Sequence, residues 1–501
     1  MAYETVTGYC WPQSVDPGHD VRFHVSSAGS RPVDVEVARI GAERTVVWRG
    51  TIEAGEHAIP LDASANGCGW PAAHTLTAGM DWRSGYHEVV LTIDVDGRRR
   101  TSHAFFVVRP TKRSTNTILL QLATNTWHAY NDVGGTNLYN GGTQVSLQRP
   151  MARGYLHKPP GAGRRVTTIH PPDRDSNVHV GYIQRNRLSP WAGSAGWPDW
   201  EEPFLAWAER NGYGIDVITN ADLEEHPQVI DRYRLLLSVG HDEYWSGPMR
   251  DTVEGFIGRG GNVAFFSGNT ALWQVRLEEP AAGPASVMVG YKGFFKRDPV
   301  FDTDRVGELT SIWSDHLIGR PENHMTGVSF TRGGYHRIGK RASMGAGGYT
   351  VYRPEHWIFE GTGIDYGDVL GAATTTVGYE CDGCEFTMEH GLPVPTHSDG
   401  TPDTFEILGM VPAAHFTRTT ASRPPKPDEP SEVEFLSARV FGERSEEAVA
   451  RIAHGHAMLG SYTSPAGGTV VTSGSTDWAH GLAGRDEQIE RITTNILDRL
   501  K

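Results

Sequence analysis

The densest group of side chains that could move protons or hold a metal is His241, Asp242, Glu243 and Tyr244. It follows residues 235–239, a short apolar run closed by Gly240. Such a run reads as a strand buried on both faces of a parallel sheet. In open α/β sheets ligands bind beyond the carboxyl ends of the strands. The cluster therefore falls where that architecture puts its chemistry. The plainer reading is a loop of solvated charges, with Ser246 capping the next helix.

Three more segments combine small residues with polar or aromatic ones at strand ends, and could converge on this loop. They are residues 127–131, with His128 and Tyr130; residues 267–273, with Asn269; and residues 377–382, with Glu380. Residues 476–480 follow the last strand and read either as a fourth contributor or as a helix cap. There is no G-x-S-x-G elbow, no P-loop, no G-x-G-x-x-G after a strand and no H-E-x-x-H. Cys381 and Cys384 form one C-x-x-C around Asp382-Gly383, without the second pair or spaced histidines that a structural zinc site takes. Cys10 and Cys68 read as core cysteines.

The elements that must position these groups fall into two parts. Residues 1–110 alternate with period two at 21–25, 33–37, 87–95 and 104–108, with a hairpin signal at Asp96-Gly97. This predicts an immunoglobulin-like β-sandwich. Residues 115–501 read as a doubly wound α/β domain with long loop insertions, of the flavodoxin or glutamine-amidotransferase type. Strands are expected at 118–122, 214–218, 235–239, 263–266, 433–437 and 470–472. Helices are expected around Phe204, over the stripe Met249, Val253, Phe256, Ile257, and over Ile489, Ile492, Ile496. Residues 132–198 lose periodicity but keep many aromatic residues, which argues for an ordered functional loop or lid over disorder. Residues 280–430 are again loop-rich, with an acidic, proline-rich stretch at 424–430.

The chain has 501 residues and a net charge of −14. That acidity leaves no electrostatic footprint for nucleic acid or an anionic membrane. No apolar stretch approaches the ~20 residues of a membrane span, and the first residues lack a signal-peptide pattern. The expectation is a cytoplasmic protein, with a homo-oligomer left open.

The order of motifs resembles a known family: a β-sandwich, then Asn125-Thr126-Trp127-His128-Ala129-Tyr130-Asn131, then His241-x-Glu243-Tyr244, then Ser267-Gly268-Asn269, then Gly378-Tyr379-Glu380. This is similar to the large (beta) subunit of N,N-dimethylformamidase and its relatives over residues 115–501. The resemblance implies a mononuclear iron held by two tyrosines and a glutamate, whose water attacks an amide carbonyl. Tyr244 and Glu380 match two of those metal ligands. The second tyrosine aligns with Leu272, which cannot bind metal, with Asn269, Gln274 or a histidine as the nearest replacements. Tyrosinate and carboxylate suit ferric iron. A site built with His241 or His128 would suit zinc or ferrous iron, or hold nothing. His241, with an ordinary pKa near 6.5, is a candidate general acid for the departing amine, and Glu243 its orienting partner.

The leading expectation is a hydrolase of an amide or other C–N bond in a small molecule, with catalytic candidates His241, Glu243, Tyr130, His128 and Asn269. The alternatives are a metal-free lyase or cyclase using the same pocket, and a non-catalytic ligand-binding module.

Overall fold

The computed structural model describes residues 5–159, 185–279, 287–337, 345–421 and 425–501. The expectations for residues 1–4, for 160–184 of the long aromatic loop and for Pro424 lie outside the described residues.

The alternating N-terminal runs form two sheets. Val6–Trp11, Asp20–Ser27 and His74–Thr77 make a three-stranded antiparallel sheet. Ser14–Val15, Arg98–Val108, Gly85–Val95, Val33–Ile40 and Arg44–Ile52 make a five-stranded one. Period-two alternation gives each strand two faces. Val89, Leu91, Ala104, Phe106 and Val108 face the three-stranded sheet in one core. Tyr86, Phe105 and Val107 face the other way, into the core of the rest of the chain. Tyr86 stacks on Trp197 with ring centres 4.2 Å apart. Buried ion pairs fasten the same seam, with Arg39 2.5 Å from Glu209 and Arg109 3.0 Å from Asp222.

The main sheet is mixed. Its parallel half runs in the order Ile215–Thr219, Ile118–Leu122, Leu235–His241, Asn262–Gly268, Thr469–Thr472. It continues antiparallel through His454–Thr463, Glu406–Ala414, Ser329–Tyr335 and Glu380–Gly383. Leu235–His241 is buried at every residue, as its position with parallel neighbours on both sides requires. Glu380–Gly383 bends back over the ends of the parallel strands, where Cys381 bridges to Ser475. That fold-back carries Glu380 to the carboxyl edge of the sheet.

The overall class is mixed α/β, and the helices at Glu201–Arg210, Gly247–Gly258 and Glu487–Leu500 lie where the apolar stripes placed them. Residues 433–437 are a correction, since they lie within the helix Glu432–Val440 and not in a strand. Ser431 and Glu434 form a capping box there, and Val433 and Leu436 are buried one turn apart. Residues 124–130 are also helical, Thr124–Tyr130, which separates the directions of its side chains. Cys381 and Cys384 belong to different core clusters and share no site.

Candidate active site

Each strand end contributes one part. Leu235–His241 ends with His241, and Gly240 (φ +87°) packs against the Trp200 side chain so that the chain can turn there. His241 Nδ1 donates to the Ser194 carbonyl at 2.5 Å, which leaves Nε2 facing the site. That nitrogen lies 2.6 Å from Glu380 Oε2 and 3.4 Å from Glu243 Oε2. It is fully buried, and Glu380 is the nearer of its two carboxylate partners. The contact with Glu380 is thus a close, buried ion pair. Burial lowers the affinity of His241 for a proton, but Glu380 and then Glu243 outweigh it and raise the pKa to about 9.

Glu380 is held from the other side by Asn269 Nδ2 at 3.2 Å. Asn269 sits at φ +52°, and its N–H and that of Thr270 donate to the Asp382 carboxylate at 2.8 and 3.1 Å. Burial pushes Asp382 up to about 7. Asp242, beside His241 in sequence, points away from the site. It accepts from Gln121, from Ser238 at 2.8 Å and from Asn220 at 3.2 Å, a buried knot that fixes the strand ends.

Glu243 accepts from the Tyr139 hydroxyl at 2.6 and 2.7 Å and from Trp273 Nε1 at 2.8 Å. Burial pushes its carboxyl up, against the pull of His241 and Lys292. Tyr244 accepts from Lys292 Nζ at 2.7 Å. The same ammonium lies 3.2 Å from the Tyr139 ring centre and 4.6 Å from that of Trp273, a cation–π cradle. Burial lowers Lys292 to about 7, against the carboxylates of Glu243 and Glu380.

The structure therefore brings together Tyr130, His241, Glu243, Tyr244, Asn269 and Glu380. Tyr130 packs edge-on to His241 at 5.6 Å and lies tilted against Tyr139 at 4.3 Å. His128 is not among them. Residues two apart on a helix do not share a face, and His128 Nε2 lies instead 2.6 Å from the Gln13 side-chain amide. Residues 476–480 reach the site at one remove: Asp477 accepts from Trp200, whose ring lies 6.0 Å from His241. Lys292, Tyr139, Ser194 and Tyr379 belong to the site without having been named as candidates. Tyr379 (φ +52°) donates to Ser194 Oγ at 2.9 Å and meets the His241 ring edge-on. Tyr139 is 37% exposed with its hydroxyl turned inward, and Trp191 stacks beside it. These two rings form the outer wall.

The donor set can be tested against the iron that the sequence resemblance implies. Leu272 is buried in the core and offers no donor. The Tyr244 oxygen accepts from Lys292 Nζ at 2.7 Å. The second phenolate is therefore missing at position 272, and an ion held by Tyr244 would have to displace the Lys292 side chain.

A model of the family described as N,N-dimethylformamidase beta subunit-like, C-terminal, matches residues 34–491. The match begins inside Val33–Ile40, so it takes in four strands of the five-stranded N-terminal sheet and one of the three-stranded sheet, as well as the main sheet. The N,N-dimethylformamidase beta subunit of Alcaligenes sp is 30% identical over 88 residues, 16% of this chain and 12% of that protein. That of Paracoccus aminophilus is 30% identical over 83 residues, 16% of this chain and 11% of that protein. These matches span about an eighth or less of the relatives' length. A family 123 glycoside hydrolase from Clostridium perfringens aligns at 8% identity with a TM-score of 0.11, over 51% of this chain and 68% of that one, and carries no argument.

Proposed function

This chain belongs to the N,N-dimethylformamidase beta subunit-like, C-terminal family, and from that premise we propose that it hydrolyses a C–N bond in a small amide. The observation that carries the reading is His241. Its Nε2 is buried between two carboxylates, 2.6 Å from Glu380 and 3.4 Å from Glu243, which keep it protonated as an acid for a leaving amine. The same reading takes the paired N-terminal sheets as an immunoglobulin-like module and the parallel half of the main sheet as a doubly wound catalytic core.

In this reading the amide carbonyl oxygen lies against the Lys292 ammonium, which the Tyr139, Tyr244 and Trp273 side chains orient. Charge that develops on that oxygen is met by a donor already in place. Glu243 takes a proton from water as its oxygen bonds to the carbonyl carbon. His241 gives its proton to the nitrogen as the C–N bond breaks, releasing a carboxylic acid and an amine. Glu380 keeps His241 charged, and Asn269 keeps Glu380 in place. Tyr139 and Trp191 cover the outer side of the cluster, which favours a small substrate.

The test is amine release from a panel of N-alkyl formamides and acetamides by the purified full chain. The reading expects turnover that His241→Asn and Glu243→Gln both abolish. Binding without turnover across the panel would overturn it and leave a ligand-binding module.

A further inference from the structure

We propose that Glu88, His103 and His157 bind a zinc ion at the seam between the N-terminal sheets and the loop that follows residue 147. The proposal is independent of the hydrolase reading, since none of the three residues touches the His241 cluster.

The ligand atoms converge from two directions. Glu88 and His103 lie on the adjacent antiparallel strands Gly85–Val95 and Arg98–Val108. They project from the face that carries Tyr86 and Phe105, toward the rest of the chain. His157 arrives from the loop. Its ring stacks on His103 with centroids 4.5 Å apart and an interplanar angle of 6°. His103 Nδ1 lies 2.9 Å and His157 Nδ1 3.9 Å from one carboxylate oxygen, Glu88 Oε1; the rings are parallel, so the exposed His157 turns about its side-chain bonds to bring its nitrogen onto a shared ion. Among the described residues, this is the group of His, Cys, Asp or Glu side chains whose ligand atoms all fall within 4.8 Å of one another.

Those spacings match what zinc needs. Four ligands at about 2.0–2.1 Å in a tetrahedron stand roughly 3.3 Å from each other, and 2.9 and 3.9 Å straddle that value. Two imidazoles and one carboxylate are a donor set zinc takes, with a fourth position left for water or a small ligand. The His157 side chain is 52% exposed, which leaves that position reachable from solvent. Glu88 is also held as metal-binding carboxylates are. Its second oxygen accepts from Arg44 at 3.2 Å, and Arg44 is offset in turn by Glu36 at 2.6 Å. The guanidinium positions Glu88 and weakens its charge, so the expected affinity is moderate. A bound ion would cross-link a strand pair to a loop distant in sequence, and binding to the folded chain alone stabilises it.

The experiment uses the full chain, stripped with chelator and then titrated with zinc alone, following bound metal and thermal unfolding together. The expected result is one zinc per chain with a rise in unfolding temperature. Both should persist in His241→Gln and vanish in His157→Ala. A partly exposed loop residue can lose its ring without loss of the fold, and Glu88→Gln, which retains the carboxyl's shape, provides a second variant with the same expectation. Cobalt(II) should give the visible absorption of a tetrahedral site in the wild type and not in either variant. Full zinc binding by His157→Ala, or no zinc bound by the wild type, overturns the proposal.

Discussion

The Lys292 ammonium donates to the Tyr244 hydroxyl across 2.7 Å, from a position enclosed by the Tyr139 and Trp273 rings. One residue of this pair comes from the short strand Tyr244–Ser246 and the other from the turn after Val287–Val289. The positive charge in the cluster is thus supplied by the chain itself, and most of the predictions depend on it.

If that charge stabilises the oxyanion, Lys292→Met should lower kcat by about 10²–10³, the range for loss of one preorganised donor. With the wild type, kcat should fall as pH rises through about 7, where Lys292 loses its proton. Lys292→Arg, where it retains activity, should move that limb upward. A pH–rate profile of the three proteins checks both statements. An unchanged limb in the arginine variant would assign it to another group.

Stability should carry two opposing slopes. His241 is raised from 6.5 to about 9, so its contribution is complete below about 6.5 and lost as pH rises through 9. Lys292 is lowered from 10.5 to about 7, so its burial penalty is complete below about 7 and relieved as pH rises toward 10.5. Between 7 and 9 the two offset each other. Lys292→Met should expose the histidine slope as a steady loss of stability over that window, read by denaturant unfolding at several pH values.

His241 and Glu380 should behave as one unit. Replacing either by glutamine leaves the other as a buried charge without its main partner, which is costly. The double variant should cost less than the two single costs combined, and a double-mutant cycle on unfolding free energy measures the difference. Additive losses would mean that the 2.6 Å contact contributes nothing.

Leu272→Tyr alone should gain neither iron nor a tyrosinate-to-iron absorption band, because the Tyr244 oxygen remains occupied by Lys292. Metal analysis and a visible spectrum are sufficient. Iron binding by this variant would show that the lysine yields to a metal, and would revive the family's ligand set.

Gly268→Ala should destabilise the fold and impair the site together. A Cβ there would meet the Thr476 nitrogen at 2.4 Å and the Glu380 oxygen at 2.5 Å, both backbone atoms that cannot turn aside. Overpacking of this kind costs about 1–3 kcal/mol or more. The shift falls on Glu380, so turnover should drop by more than the loss of folded protein accounts for.

The parts of the site legible in sequence are those that follow a buried strand directly. His241, Glu243 and Tyr244 announce themselves after residues 235–239, and Asn269 after residues 263–266, because a parallel strand needs an apolar run and its end has a fixed place. Lys292 and Tyr139 lie in stretches without periodicity, where a side chain's direction depends on packing that no local pattern encodes. A signal for Lys292 was present, since it follows the short apolar run 287–289 much as His241 follows its own. The segment 433–437 reads as a strand by itself, while Ser431 and Glu434, three apart, mark a helix start.

The central sheet also governs how this chain can be made. Thr469–Thr472 pairs with Asn262–Gly268, yet residues 269–468 are translated between them. At ~5–20 residues per second, the nascent chain carries an open parallel edge for roughly 10–40 s after residue 268 leaves the ribosome. The edge strand is buried and apolar at Val263, Ala264, Phe265 and Phe266 once the fold is complete, so in that interval it presents an unpaired apolar edge.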